Sequence, residues 1–313
     1  MKLLAAFFKL IRWPNLVFIA LTQLLFYYCI IIPVFKEATP FVFADKKILL
    51  LLILSSVLIA AAGYIINDYF DINIDLVNKP QQNVVDSIMS RRWAMFWHMF
   101  LSMTGIVMGF YVDFISGHFL LGISNVICVV LLFVYSLTFK KRMLIGNIII
   151  SALTAWVVMV MGLYVMIDFV LKMGESSTSV TRIMRLTILY TAFAFIISLI
   201  REVIKDMEDI EGDRRYGCRT MPIVWGINSS KVFTAVWLIV LITSLVVVQV
   251  YVLLFGWWWS AVYVLLLIVL PLLWILRKLR IANEQADFHY LSSLIKLVML
   301  TGICSMIFFK LYL

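Results

Sequence analysis

Residues Ile48 to Asp75 read ILLLLILSSVLIAAAGYIINDYFDINID, and the fold turns on how that stretch is taken. No charge interrupts Ile48 to Ile66, a run long enough, as helix, to cross a hydrocarbon core. The run then ends in Asn67-Asp-Tyr-Phe-Asp-Ile-Asn-Ile-Asp75, which packs three aspartates and two asparagines into nine residues. If the helix continues, Asn67, Asp71 and Asp75 recur every fourth residue and share one face. Carboxylates stacked this way at the end of an apolar helix repel one another unless a cation sits between them. All-oxygen donors, with no sulfur or imidazole nearby, suit Mg2+, which takes one or two carboxylates and completes its shell with substrate phosphate. The plainer alternative is a solvated acidic loop.

A second stretch repeats the pattern. Lys205-Asp-Met-Glu-Asp-Ile-Glu-Gly-Asp213 follows the apolar run Ile188–Ile200, and its Asp206, Asp209 and Asp213 fall at i, i+3 and i+7, again one helical face. Asp68, Asp71, Asp75, Asp206, Glu208, Asp209, Glu211 and Asp213 make up eight of the chain's 17 acidic residues. Charge so concentrated in an apolar chain argues for a site. Two acidic faces can hold a pair of divalent ions against one diphosphate.

Outward from these two stretches, composition sets the class. With 64% hydrophobic residues, 14% charged and a mean hydropathy of +1.06, the chain is not a soluble domain. Its apolar runs are continuous rather than alternating, which selects helices over a closed barrel. Spans are expected near residues 15–34, 48–66 and on into the first acidic cluster, 93–112, 119–139, 144–169, 184–206, 232–255, 257–276 and 290–313. The expected fold is therefore all-α, a polytopic membrane bundle of about nine transmembrane helices, with residues 1–313 forming one domain. The turn Gly256-Trp-Trp-Trp divides the seventh span from the eighth. Met1–Arg12, with Lys2, Lys9 and Arg12 among Leu, Phe and Ile, reads as an amphipathic helix on the membrane surface. It runs to Trp13-Pro14 without a small-residue cleavage site. The four cysteines, Cys29, Cys128, Cys218 and Cys304, show no metal or redox spacing.

Eighteen of the 26 Lys and Arg lie in the N-terminal segment or around the ends of the second, fourth, sixth and eighth spans. Seven lie on the opposite side, and Lys296 falls inside the last span. The bias places the N terminus and both acidic clusters on the cytoplasmic side of a cell (inner) membrane. The net charge of +9 thus follows the lipid bilayer and is no nucleic-acid footprint. The clusters sit at corresponding places four spans apart, as an ancient duplication would leave them. In the loop Tyr135-Ser-Leu-Thr-Phe-Lys-Lys-Arg142, Lys141 and Arg142 read as topological anchors and Lys140 as a side chain that reaches a diphosphate. Arg201 and Lys205 are placed either to pair with the aspartates or to bind phosphate oxygens, and spacing leaves both open.

These motifs resemble the UbiA superfamily of intramembrane prenyltransferases. The match rests on Asn67-Asp68-x-x-Asp71-x-x-x-Asp75 with Asn78-Lys79-Pro80, and on Asp206-x-x-Asp209-x-x-x-Asp213 with Tyr216-Gly217-x-x-Thr220-x-Pro222. Tyr135-Ser136, Lys140 and Gly146-Asn147 match the family's middle motif, and Asn15 after Arg12-Trp-Pro its opening one. The resemblance implies a central cavity open sideways to lipid, Mg2+ as cofactor, and transfer of a prenyl group from its diphosphate to a lipophilic acceptor. It implies catalytic roles for Asp71, Asp209 and Lys140, and metal ligation by Asn67, Asp71, Asp75, Asp206, Asp209 and Asp213. Asn15, Asp68, Lys79, Tyr135, Lys140, Asn147, Arg201 and Lys205 become the expected substrate contacts. Tyr64, Tyr69, Phe70, Tyr135 and Phe195 are expected near the site, where ring faces shield an allylic cation.

The run Arg201-Glu202-x-x-Lys205-Asp206-x-Glu208-Asp209-x-Glu211-Gly212-Asp213 most resembles the geranylgeranylglyceryl phosphate geranylgeranyltransferase branch. Its acceptor is an alcohol bearing a phosphate, for which extra cations are needed. One departure stands out: Gln81-Gln82-Asn83-Val84 follows Pro80, where the family usually has an Arg-Pro pair. An aromatic acceptor, as in quinone or haem side-chain prenylation, is the alternative. A transporter would also carry intramembrane carboxylates and pseudo-repeats, and metal-independent flux of a solute would identify it.

Overall fold

The structure, a computed structural model, describes residues 2–36, 46–78, 84–85, 88–173 and 178–312. A short helix α1 (Lys2–Leu10) precedes α2 (Trp13–Phe35), α3 (Lys46–Asn78), α4 (Arg91–Ser116), α5 (Leu120–Leu137), α6 (Ile145–Met173) and α7 (Thr178–Glu208). Two short helices follow, α8 (Ile210–Arg215) and α9 (Met221–Val224), then α10 (Ile227–Leu253), α11 (Trp258–Ile281) and α12 (Gln285–Tyr312). Nine of these are long and apolar enough to cross a membrane, and no strand occurs among the described residues. The all-α expectation of nine spans holds.

The helices outrun the apolar windows that announce them. α7 begins at Thr178 rather than Met184, α10 at Ile227 rather than Val232, and α12 at Gln285 rather than Tyr290. Polar residues in these end turns lower the hydropathy without breaking the backbone ladder, which must stay satisfied through the headgroup region. Between α10 and α11 the chain turns at Gly256, whose φ of 75° lies in the left-handed region. That turn sits where the seventh and eighth spans were expected to part.

α3 runs unbroken through its acidic end and packs against α2, α4 and α5, while α7 packs against α6, α10 and α12. Without a hydrophobic drive between helices in lipid, small residues set how closely backbones approach. A Cβ at Gly63 of α3 would meet the Leu132 side chain of α5 at 2.9 Å. One buried cluster, around Phe26, Leu52, Met161 and Tyr164, fills the end of the bundle away from the aspartates. Another, around Ile200, Ile204, Leu238, Leu272 and Ile295, joins α7, α10, α11 and α12. A third, Leu10 with Ile65, Ile72 and Ala94, docks α1 beneath the acidic end of α3. α10 turns Val232, Val236, Ile239 and Val247 outward, as a lipid-facing helix does.

Candidate active site

A cavity of about 1150 Å³ opens between α2, α3, α5, α6, α7 and α12. α3 lines it with Ser56, Ala60, Gly63, Asn67, Asp71, Asp75 and Asn78, the stripe that a continuous helix presents on one side. α7 contributes Tyr190, Phe193, Ile197, Arg201, Glu202, Lys205 and Asp206 in the same fashion. The remote wall is apolar, with Leu121, Trp156, Val160, Tyr190 and Met306. On α5 the lining runs from Leu121 to Tyr135, roughly 20 Å of helix at about 1.5 Å per residue. The cavity therefore has a charged end and a long apolar one.

At the charged end the first cluster is held by cations. Lys140, in the tight turn Phe139–Lys141 between α5 and α6, contacts Asp71 Oδ2. Asn67 Nδ2 donates to the same oxygen at 2.8 Å, so Asn67 positions Asp71 at least as much as it could ligate a metal. Asp71 itself is only 2% exposed. Arg12 donates to Asp68 at 2.7 Å, and its guanidinium lies 5.3 Å from the Tyr64 ring centre. Burial opposes the charge on both Lys140 and Arg12. The carboxylates of Asp71 and Asp68 outweigh it and hold each pKa above the ordinary range. Arg12 (φ 50°) and Leu144 (φ 62°) are the non-glycine residues with positive φ among those described, and they flank the elements that carry Asn15, Lys140 and Asn147. Such conformations cost about 1–3 kcal/mol each and persist where packing over-determines them.

The second cluster is built differently. α7 ends at Glu208, and Asp209 (φ −95°, ψ 10°) marks a break before α8. The single helical face expected for Asp206, Asp209 and Asp213 is thus divided between two helices, although all three line the cavity. Backbone hydrogen bonds from Asp209 N to Lys205 O (2.8 Å) and from Asp213 N to Asp209 O (3.2 Å) keep the displacement small. The break has a physical partner in Asn78, the last residue of α3. Its Nδ2 donates to Asp209 O at 3.1 Å, and its Oδ1 accepts from Gly212 N at 2.8 Å. Asn147 Nδ2 donates to Asp206 Oδ2 at 2.8 Å.

Arg201 and Lys205, left between two roles by the sequence, both bind Glu202, at 3.0 Å and 3.2 Å. Asp75 makes no hydrogen bond or ion pair among the described residues. Asn15 and Tyr135 line the cavity with Tyr64, whereas Tyr69 and Phe70 do not, Phe70 packing on Phe133 instead. Phe193 stands in the wall where Phe195 was expected, because the cavity stripe of α7 passes through Tyr190, Phe193 and Ile197. Lys79, together with the Gln81–Asn83 departure, lies outside the described residues. Sequence reasoning missed Arg12, Asn78 and Glu202 as site residues. All three stand within the motifs quoted above, but their partners are far away in sequence or on the backbone.

Asp68, Asp71, Asp75, Asp206, Asp209 and Asp213 offer oxygen alone, the donor chemistry of Mg2+. No three His, Cys, Asp or Glu side chains converge into a ready-made metal site among the described residues.

The sequence model of the UbiA prenyltransferase family matches residues 37–300. A digeranylgeranylglyceryl phosphate synthase from Methanothermobacter thermautotrophicus is 35% identical over 182 residues, 57% of this chain and 56% of the relative. The chain so spans little more than half the length of that curated relative. Among solved structures, one of digeranylgeranylglyceryl phosphate synthase has a TM-score of 0.64 at 22% identity, covering 98% of this chain and 99% of the other. A UbiA homolog from Archaeoglobus fulgidus, bound to GPP and Mg2+, has a TM-score of 0.54 at 13% identity over 96% and 99% of the two chains. At these identities the structures establish a shared fold.

Proposed function

The chain belongs to the UbiA prenyltransferase family, a multi-pass membrane fold, and on that premise we propose that it is a Mg2+-dependent prenyltransferase. It moves a prenyl group from a prenyl diphosphate to a lipophilic acceptor, an alcohol of the geranylgeranylglyceryl phosphate kind. The observation that carries this reading is the polarity of one cavity. Carboxylates from both clusters and the cations Lys140, Arg201 and Lys205 gather at one end, and an apolar passage of roughly 20 Å leads away from them. A diphosphate with a long isoprenoid tail has that distribution of charge and grease. The relative from Methanothermobacter, and the Archaeoglobus homolog bound to GPP and Mg2+, support the donor, metal and acceptor classes.

Asp71, Asp75, Asp206, Asp209 and Asp213 would hold Mg2+, which neutralises charge on the departing diphosphate. The protein's own part is to place and to shield. Lys140 lies against Asp71, where it exchanges its carboxylate partner for a phosphate oxygen when the donor enters. The allylic carbon–oxygen bond breaks with the electron pair leaving on diphosphate. The acceptor hydroxyl oxygen then bonds to that carbon and releases its proton to the departed diphosphate. Tyr64 and Tyr135 present aromatic surface beside the charged end and stabilise the allylic cation. The apolar wall keeps water from the cation. Residues 1–313 act as one unit, since spans from both halves wall the cavity. The positive bias supports a charged end on the cytoplasmic side of the cell membrane.

Mass spectrometry of products tests the reading directly. Purified protein given geranylgeranyl diphosphate, Mg2+ and geranylgeranylglyceryl phosphate should yield the doubly prenylated ether, and EDTA should stop it reversibly. Product only from an aromatic acceptor would transfer the enzyme to the other branch.

A further inference from the structure

The cavity face of α12 divides sharply in polarity. Its lining residues, His289, Ser292, Lys296, Met299, Ile303 and Met306, follow one helical stripe that is polar up to Lys296 and apolar beyond it. Lys296 is eleven residues into a span of 28, near the middle of the membrane, where an ammonium is costly unless it has work to do. Among the described residues it makes no hydrogen bond or ion pair. Across the cavity Arg201 and Arg12 repel it, and Glu202 and Glu208 attract it. Arg201 has a second loose end: its Nε is buried without a hydrogen-bond partner, the Glu202 contact being made through Nη1. An ammonium without a partner, on the same cavity as a guanidinium whose donors are only partly used, describes an incomplete anion site. This one lies on the α7–α12 wall and is built from side chains other than Lys140 and the acidic clusters.

We propose that Lys296, with Arg201 lining the same cavity, binds the phosphate monoester of the acceptor, so that this wall selects a phosphorylated lipid alcohol over a neutral one. The assignment rests on the prenyltransferase reading above and specifies its second substrate. A phosphate there stands at the boundary between the polar and apolar halves of α12, with the acceptor's own chain lying along Met299, Ile303 and Met306. Lys296 thereby acts in acceptor recognition, while the donor diphosphate belongs to Lys140 and the aspartates.

Lys296→Ala and Lys296→Arg test this against geranylgeranylglyceryl phosphate and its phosphate-free counterpart, geranylgeranylglycerol. The wild type's preference in kcat/KM for the phosphorylated acceptor should fall about tenfold or more in Lys296→Ala, and Lys296→Arg should restore most of it, as loss of one charge-assisted contact predicts. An equal change with both acceptors would overturn the proposal. So would a rise confined to the donor KM, which would assign the lysine to diphosphate. A binding readout separates the site from the reaction. Geranylgeranylglyceryl phosphate should raise the thermal midpoint of wild-type protein in nanodiscs and not that of Lys296→Ala. If the wild type prenylates neither acceptor, the functional reading falls, yet a Lys296-dependent shift would still uphold the phosphate site and its absence would end it. Phosphatidic acid giving the same Lys296-dependent shift at equal mole fraction would make this a bulk-headgroup site and overturn the acceptor assignment.

Discussion

The two acidic clusters occupy corresponding ends of α3 and α7, yet they are secured differently. The first rides on an unbroken helix, with Arg12 on Asp68 and both Lys140 and the Asn67 amide on Asp71. The second follows a break at Asp209 and is held by amides, with Asn147 on Asp206 and Asn78 strapping the backbone at Asp209 and Gly212. On the proposed reading Asp71 gives up Lys140 when the diphosphate arrives, whereas Asp206 keeps its amide and stays aimed. The difference assigns partner exchange to the α3 side and fixed presentation to the α7 side.

The harshest way to probe that contrast is to neutralise one carboxylate on each side. Asp71→Asn and Asp209→Asn should each lower kcat by about a thousandfold or more, as loss of a charge that holds metal against the leaving group predicts. Both proteins should remain inserted and monodisperse. Near-normal turnover of either at saturating Mg2+ would mean that one cluster serves without the other.

A smaller effect sharpens the role of partner exchange. Lys140→Ala should lower kcat and kcat/KM together by about a hundredfold, since its charge matters most as the diphosphate departs. Lys141→Ala, next in sequence, should change either by less than about threefold, or under roughly 1 kcal/mol. Equal effects would show that the loop acts only through its summed positive potential.

The amide side gives a gentler test. Asn78→Ala removes two hydrogen bonds to backbone and should cost about 1–3 kcal/mol, seen as weaker Mg2+ dependence with little change in acceptor KM. Gly212→Ala should mimic it, because a Cβ there runs into the Asn78 side chain. If Asn78→Ala is neutral, the break at Asp209 is sustained by something other than the strap.

The smallest effects concern access. Burial, with Asp213 nearby, pushes the Cys218 thiol up to about 11, so thiolate is scarce at neutral pH and maleimide labelling should be slow, rising with pH. A cysteine at Arg215 should label readily from the cytoplasmic side and one at Phe119 only from the other. Labelling of both from one side would contradict the orientation.

What the sequence made legible follows from physics that acts locally. Spans such as Ile48–Ile66 announce themselves because a bilayer demands long uncharged helix, and the acidic ends stand out because charge is scarce here. Helical spacing likewise placed Asn67, Asp71 and Asp75 on one stripe, and α3 presents them so. Pairings across the fold were not legible. Arg12 meets Asp68 over 56 residues, and Asn78 meets Gly212 over 134, through a backbone group that no motif can reveal. The break at Asp209 was hidden for the same reason, since nothing in Glu208-Asp209-Ile210 forbids continuous helix. Arg201 and Lys205 were ambiguous because a lysine or arginine near several carboxylates has no preference readable from spacing, and in the fold both reach Glu202.

The central claim is that both clusters address one diphosphate. It is tested most directly by a double-mutant cycle on the Mg2+-dependent affinity for an unreactive prenyl thiolodiphosphate, measured in nanodiscs with wild type, Asp71→Asn, Asp209→Asn and the double variant. If the two carboxylates act on one bound group, each single change loses most of the affinity and the double change loses little more. Losses that simply add would show two independent sites and contradict the account.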